Sequence, residues 1–312
     1  MENLILSFNV VLPLCLCIAL GYFLYRINMI EEATQKSMNK LVFRVFLPIY
    51  IFNSIYTTDI AKVFDLRLVA LVVFGILGIF CALMVLVPKI EKENAKRGVM
   101  VQAIFRSNFV LFGVPIASAL CGEGNIGPTS LLVGFVVPMF NILAVVCLET
   151  FRGGKPDVKK MLRGIATNPL IIASVLGIAL NMLKIEMPYG IKKSVTDLAK
   201  IATPLSLVVL GAGFRFNVIG GYARQIVICL AGKLVVSPLL MVMIGAALGL
   251  RGEMLVPVLA VFGSPIAVSS YTMAEQMEGD GRLAASLVVL TSVCSILTMF
   301  LFIFGLKQLG LV

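Results

Sequence analysis

Long apolar runs alternate with short polar connections along this chain, and the runs are longer than the core of a soluble domain requires. Ten stretches stand out, at about 5–25, 39–56, 68–88, 98–120, 128–151, 165–183, 195–214, 223–249, 253–277 and 283–309. Each comes close to or exceeds the ~20 residues with which an α-helix crosses a ~30 Å hydrocarbon layer. The connections leave no room for a separate soluble domain. The pattern predicts an all-α integral membrane protein with ten transmembrane helices.

The pattern also occurs twice. A shift of 156 residues lays Pro13 on Pro169, Gly21 on Gly177, Arg44 on Lys200 and Pro48 on Pro204. A shift of 157 lays Gly75 on Gly232, Phe105 on Phe262, Ser107 on Ser264 and Gly122-Glu123-Gly124 on Gly279-Asp280-Gly281. A near-constant offset of half the length reads as duplication. The chain then divides into a first five-helix repeat at 1–151, a basic linker at 152–163 and a second repeat at 164–312. An odd number of spans per repeat turns the second copy upside down in the bilayer. Inverted repeats characterise secondary transporters, which hold substrate where the repeats meet.

Polar breaks fall at matching places in the two copies. In the fourth span, Arg106-Ser107-Asn108 precedes Gly113 and Pro115. Pro115 cannot donate to the Leu111 carbonyl, and Gly113 eases a bend. In the ninth span, Pro265 precedes Ser269-Ser270-Tyr271-Thr272. Paired interruptions of this kind point to a transporter's binding site, because backbone freed at membrane depth must line a cavity or find a side chain. Helices 4 and 9 are therefore expected to be broken crossover helices. Their candidate substrate-binding residues are Arg106, Ser107, Asn108, Gly113, Pro115, Pro265, Ser269, Ser270 and Tyr271. Ordinary proline kinks backed by serine and threonine are the competing reading. Asn53, Asn141 and Ser206 lie beyond Pro48, Pro138 and Pro204. The two asparagines are candidates to face the same cavity, with interhelical hydrogen bonding as the alternative.

Arg44, Lys200, Lys233 and Glu275 add candidates for gating or charge. Arg44 and Lys200 each stand four residues before a proline, Pro48 and Pro204. They read either as symmetry-related gates or as side chains that snorkel to headgroups. Arg106 and Lys233 lie deeper, roughly 12–15 Å inside their spans at 1.5 Å per residue. A cation at that depth costs at least ~2.5–3.5 kcal/mol. The acids Glu149, Asp197 and Glu275 all lie toward span ends. The interior is thus electropositive, which suits an anionic substrate. The structural alternative has Arg106 capping carbonyls of the broken helix and Lys233 reaching Glu275.

Composition narrows the function further. The chain is 60% hydrophobic and 13% charged, with a mean hydropathy of +1.04. Soluble domains carry about 25% charged residues. Histidine is absent, which removes Ser-His-Asp hydrolysis, His-x-x-Glu-His metalloproteolysis and histidine proton relays. A phosphate loop of the P-loop type is absent too. The chain reads as a non-enzyme with no cofactor and no metal site. Of the seven cysteines, Cys15 and Cys17 are the closest pair, but on a helix they point about 200° apart and pack as small hydrophobes. With the N-terminus outside, fifteen Lys and Arg fall in inner loops and seven in outer segments. That bias places both termini outside and the linker inside. The net charge of +10 follows from this bias and from contact with anionic lipids, with no need for nucleic acid. No cleaved signal peptide and no lipidation signal is evident at the ends.

At its breaks the chain resembles the auxin efflux carrier family, within the bile acid/arsenite/riboflavin transporter superfamily, as a bacterial-type member. The likeness is carried by Asn108-Phe-Val-Leu-Phe-Gly113-Val-Pro115, by Ser264-Pro265 through Met273-Ala274-Glu275, by Leu283-Ala284 and by Phe46-Leu47-Pro48. The resemblance implies a crossover of unwound fourth and ninth helices, separate scaffold and transport domains, elevator-like alternating access and often a homodimer. It implies Asn108, Gly113 and Pro115 in the first half of the crossover, with Asn53 and Asn141 facing substrate. Ser270 stands where the plant pattern has a proline, so the second half rests on Pro265 and Ser269-Ser270. The implied cargo is a small carboxylate such as malonate or malate, moved across a bacterial plasma membrane. The alternatives are an auxin-like aromatic acid exporter, a passive anion channel and a membrane sensor. Arg106 beside the crossover disfavours sodium there, which leaves uniport, exchange or proton coupling.

Overall fold

The computed structural model describes residues 2–57, 65–121, 127–153, 163, 166–214 and 220–312, with the backbone alone at 2–11, 14 and 130. The linker at 154–162 and the Gly122-Glu123-Gly124 turn lie outside the described residues.

Among the described residues all regular structure is helical, and each apolar run becomes a helical element. We label them α1 (Glu2–Arg26), α2 (Glu32–Leu41, Val42–Phe46 and Leu47–Tyr56 in one continuous helix), α3 (Leu66–Ile90) and α4 (Asn94–Phe105, then Phe109–Gly113 and Val114–Cys121). Next come α5 (Gly127–Thr150), α6 (Pro169–Met182) and α7 (Tyr189–Gly213). They are followed by α8 (Ala223–Ala231, Gly232–Val236 and Ser237–Ala247), α9 (Val256–Gly263, then Ser269–Gln276) and α10 (Gly281–Gln308). Six helices among the described residues are long and apolar enough to cross a membrane: α3, α4 taken through its break, α5, α7, α8 with its entry turn, and α10.

Burial is inverted relative to a soluble protein. Leu16, Leu20 and Phe23 on α1, Phe74 and Leu86 on α3, and Leu297, Leu301 and Phe304 on α10 face outward. Arg106, Asn108, Asn141, Ser206 and Lys233 are buried. Such apolar surface is what hydrocarbon solvates, while the polar side chains shelter inside. Helix starts use ordinary caps. Asp65 accepts from the N–H groups of Arg67 and Leu68 at 2.8 and 3.0 Å, and Asn168 caps α6 just before Pro169.

Three prolines explain three local widenings. The π-helical turns Val42–Phe46, Phe109–Gly113 and Gly232–Val236 each end two residues before a proline: Pro48, Pro115 and Pro238. In each, the residue preceding the proline donates across five residues: Leu47 to Val42, Val114 to Phe109 and Ser237 to Gly232. Widening the turn makes room for the ring and for the proline's missing donor. Helix α4 therefore runs through Pro115. Its break comes earlier, at Arg106–Asn108, which are not helical, Arg106 being extended. The ninth element breaks at 264–268, around Pro265, as its sequence suggests.

Two glycine contacts set how the helices cross. A Cβ on Gly21 would collide with the Val208 carbonyl oxygen, and one on Gly211 with that of Ile18. Helices α1 and α7 therefore touch backbone to backbone. Gly177 on α6 likewise faces Phe52 and Ile55 on α2. Deeper in, Phe105 meets Phe80 edge-on at 5.3 Å and Phe140 at 6.0 Å, which fixes the first half of α4 between α3 and α5.

Candidate functional site

The two breaks meet. The Asn108 N–H donates to the Pro265 carbonyl at 2.8 Å, so the non-helical segment of α4 is pinned to that of α9. Beyond this bond both chains resume as helices. The Asn108 carbonyl accepts from Phe112 and Gly113, which starts the second half of α4. Gly113 fits closely against the Ala260 carbonyl and the Ser264 hydroxyl, leaving no space for a side chain.

Beside this crossing lies a cavity of about 60 Å³. A volume of that measure holds a few waters at ~10–15 Å³ each. The α4 break supplies Arg106, Ser107, Asn108 and the first residues of the helix after it. The α9 break supplies Ala267, Val268 and Ser269. Helix α5 contributes Val137, Phe140 and Asn141, α2 contributes Leu47, Tyr50 and Ile51, and α7 contributes Thr203 and Ser206.

Among the described residues Arg106 is the only cation in this wall, and it is 4% exposed. Its Nη2 donates to Asn141 Oδ1 and to Ser269 Oγ, both at 2.7 Å. Its Nη1 rests on Met273 Sδ and donates to Gln102 Oε1 at 3.1 Å when that amide is turned to satisfy both its ends. Asn141 is itself held, its Nδ2 donating to the Val137 carbonyl at 2.8 Å. Every acceptor is a neutral side chain; the guanidinium neither caps a helix carbonyl nor meets a carboxylate. A buried charge ordinarily has a partner of opposite sign. Here that place is open to the cavity.

Next to it, Asn108 is 6% exposed and its Nδ2 has no hydrogen-bond partner; the Ser107 hydroxyl has none either. Phe109, Val110 and Leu111, whose N–H groups precede the first intrahelical bond, line the same cavity. Such a helix start carries positive partial charge. Among the described residues, no carboxylate lines the cavity.

Of the residues expected from sequence, Arg106, Ser107, Asn108, Asn141 and Ser269 come together in this wall. Pro265 ties the breaks and Gly113 packs behind them, both outside the wall. Ser270 is buried with its hydroxyl unpartnered, and Tyr271 accepts from the Gln35 amide of α2. Pro115 is exposed on the outer face of α4. Asn53 lies away from the cavity, where its Oδ1 accepts from Thr196 at 3.2 Å. Arg44 is exposed, and Lys200 is exposed beside Asp197 at 3.3 Å. Lys233 is fully buried, but its ammonium has no partner and does not reach Glu275, which is half-buried. Sequence reasoning did not single out Gln102, Tyr50 or Thr203. Gln102 carried the one usable signal: a lone amide four residues before Arg106 in an apolar run.

Comparison with known proteins bears on this geometry. The family described as membrane transport protein matches residues 6–303. The chain belongs to it. An uncharacterized transporter of Methanothermobacter thermautotrophicus is 23% identical over 94% of this chain and 96% of its own length. An uncharacterized transporter of Methanocaldococcus jannaschii is 23% identical over the same shares. A Rhizobium meliloti protein named "putative malonate transporter" is 22% identical over 93% of this chain and 92% of its own. The auxin efflux carrier resemblance thus stands. The protein is a multi-pass membrane protein of a transporter family, and its relatives are transporters rather than enzymes.

Proposed function

We propose that this protein is a secondary transporter that binds a small carboxylate at the crossing of α4 and α9 and carries it across the plasma membrane by elevator-like alternating access. One observation carries this reading. The buried guanidinium of Arg106, without an acidic partner, lies in the same wall as the unpartnered Asn108 amide and a helix N-terminus. Together they offer a carboxylate a counter-charge and unoccupied hydrogen-bond donors. The cavity's small size favours short carboxylates over an aromatic acid. The name of the Rhizobium relative makes malonate the first compound to try. Polar residues cluster at the two breaks with apolar runs flanking them, which favours a carrier over a channel.

In this reading the chain is two inverted five-helix repeats, 1–151 and 164–312, that span the membrane ten times; the Lys and Arg bias of the loops supports both termini outside, and the packing supports the repeat. The offset of 156 residues carries Gly21 onto Gly177 and Phe52 onto Val208, so the α1–α7 contact and the α2–α6 contact are equivalent. The offset of 157 carries Asn108 onto Pro265, the pair that shares the bond between the breaks. A residue that touches its own repeat equivalent lies at a pseudo-twofold axis.

The test is counter-flow. Purified protein in liposomes preloaded with unlabelled malonate should concentrate external radiolabelled malonate transiently and saturably. Flux that rises without saturation and shows no counter-flow would instead indicate a channel. Folded protein that exchanges no short carboxylate would end the reading.

A further inference from the structure

We infer that the cavity takes its cargo as a singly charged anion, so that a dicarboxylate such as malonate enters in its half-protonated form. This rests on the carrier reading above and specifies the charge of what is carried.

The wall holds one cation and no second. That cation is also committed in place. Four of the five N–H donors of a guanidinium are accounted for by Asn141, Ser269, Met273 and Gln102. Arg106 is therefore braced between α5 and α9 by neutral acceptors, and it offers the cargo a fixed charge rather than a free fork. The hydrogen bonds available to a carboxylate come from Asn108 Nδ2, the Ser107 hydroxyl and the helix start at Phe109–Leu111. All of these stand on the α4 break and the turn that follows it. The remaining wall combines the apolar Leu47, Ile51, Val137 and Phe140 with neutral hydroxyl-bearing side chains such as Tyr50 and Thr203. One carboxylate thus finds a counter-charge and donors. A second ionised carboxylate would find no second cation among the described residues, only apolar and neutral hydroxyl groups, and a buried charge without a counter-charge is strongly disfavoured. A protonated carboxyl, or an ester in its place, meets no such penalty.

No other group supplies the missing charge or competes for Arg106. The titratable side chains acting on the guanidinium are the phenol of Tyr50 and the thiol of Cys147, neither of them an anion near neutral pH. The acids on neighbouring helices, Glu149, Asp197 and Glu275, lie outside the wall, as does Lys233.

The experiment uses wild-type protein in liposomes and compares malonate with monomethyl malonate as external pH is raised from the acid side to neutral and beyond. The ester is a fixed monoanion of nearly the same shape. It should exchange, with a half-saturation constant independent of pH. That of malonate should rise about tenfold per pH unit above its second dissociation, as the half-protonated fraction falls. The inference is overturned if malonate's constant stays flat or improves with rising pH, or if malonate exchanges while the ester is excluded. If neither compound exchanges, and acetate and propionate are inert as well, the carrier reading fails and this one fails with it.

Discussion

Replacing Arg106 by glutamine keeps an amide donor in the same place and deletes the charge. At an effective dielectric of ~20, a guanidinium and a carboxylate ~4 Å apart attract by about 4 kcal/mol. Part of that is offset because an unpaired guanidinium no longer has to be buried in the empty carrier. The shorter glutamine also cannot serve both Asn141 Oδ1 and Ser269 Oγ, which Arg106 reaches at 2.7 Å each. One buried acceptor left without its donor weakens the brace by ~1–3 kcal/mol. The net loss of anion affinity is about 2–4 kcal/mol, or roughly 30- to 1,000-fold. The assay is counter-flow against malonate concentration, with protein melting followed in parallel. Arg106→Lys separates charge from bracing: it keeps the charge but not the planar fork, so it should retain part of the affinity that the glutamine variant loses. A folded glutamine variant whose half-saturation stays within about threefold of wild type would refute the electrostatic argument.

Three further outcomes follow from other parts of the structure. Gly211→Val drives a side chain into the Ile18 carbonyl and should lower the melting temperature by the equivalent of 1–3 kcal/mol or more, whereas Gly190→Ala, in open space on the same helix, should be neutral or stabilising; equal melting of the two would refute the close α1–α7 crossing. Tyr271→Phe strips the buried Gln35 amide of its acceptor at the α2–α9 contact; if that bond holds the described conformation, exchange should quicken on the order of tenfold, and an unchanged rate would show that it does not. At Glu91, beyond the end of α3, burial opposes the charge, but the N–H groups of Glu93 and Lys92 and the Gln225 amide outweigh it and hold the carboxyl below its usual range. A depressed carboxyl stabilises the fold above its unfolded pKa and loses that contribution as pH falls through the folded value. Glu91→Gln should therefore melt lower than wild type at neutral pH, with the gap closing in acid; a gap that stays constant with pH would exclude the charge as its cause.

The helical elements were legible because hydrocarbon leaves a chain few choices. Each backbone group must be bonded within its own segment, so apolar length alone marks a helix. The position of the first break was less legible. The proline at 115 suggested it, yet a widened turn at Phe109–Gly113 absorbs that ring, and the chain parts at Arg106–Asn108 instead. Proline tells only that one donor is missing; which neighbouring turn adjusts depends on tertiary packing, here Gly113 against Ala260 and Ser264. Arg106, Asn108 and Ser269 were readable as polar side chains where polarity is costly. Tyr50 and Thr203 were not, since a single hydroxyl in an apolar helix more often bonds its own backbone. The Gln35–Tyr271 contact joins residues 236 apart, and no local pattern announces it.

The geometry of the first break explains why a buried arginine is tolerated and why its partner should be mobile. The half-helix Asn94–Phe105 ends with carbonyls that carry partial negative charge, and Arg106 follows directly at that end. Two residues later a second half-helix begins at Asn108 with its N–H groups, and hence partial positive charge, facing the cavity. The first dipole stabilises the cation where it stands. The second, together with that cation, creates a potential that only an anion relieves. A fixed carboxylate from the protein would satisfy this potential permanently and close the site. On the carrier reading proposed above, a solute takes that role, its arrival neutralising the core and its departure restoring the charge. Alternation between a charged empty state and a neutral loaded one gives a carrier different energetics for its two crossings.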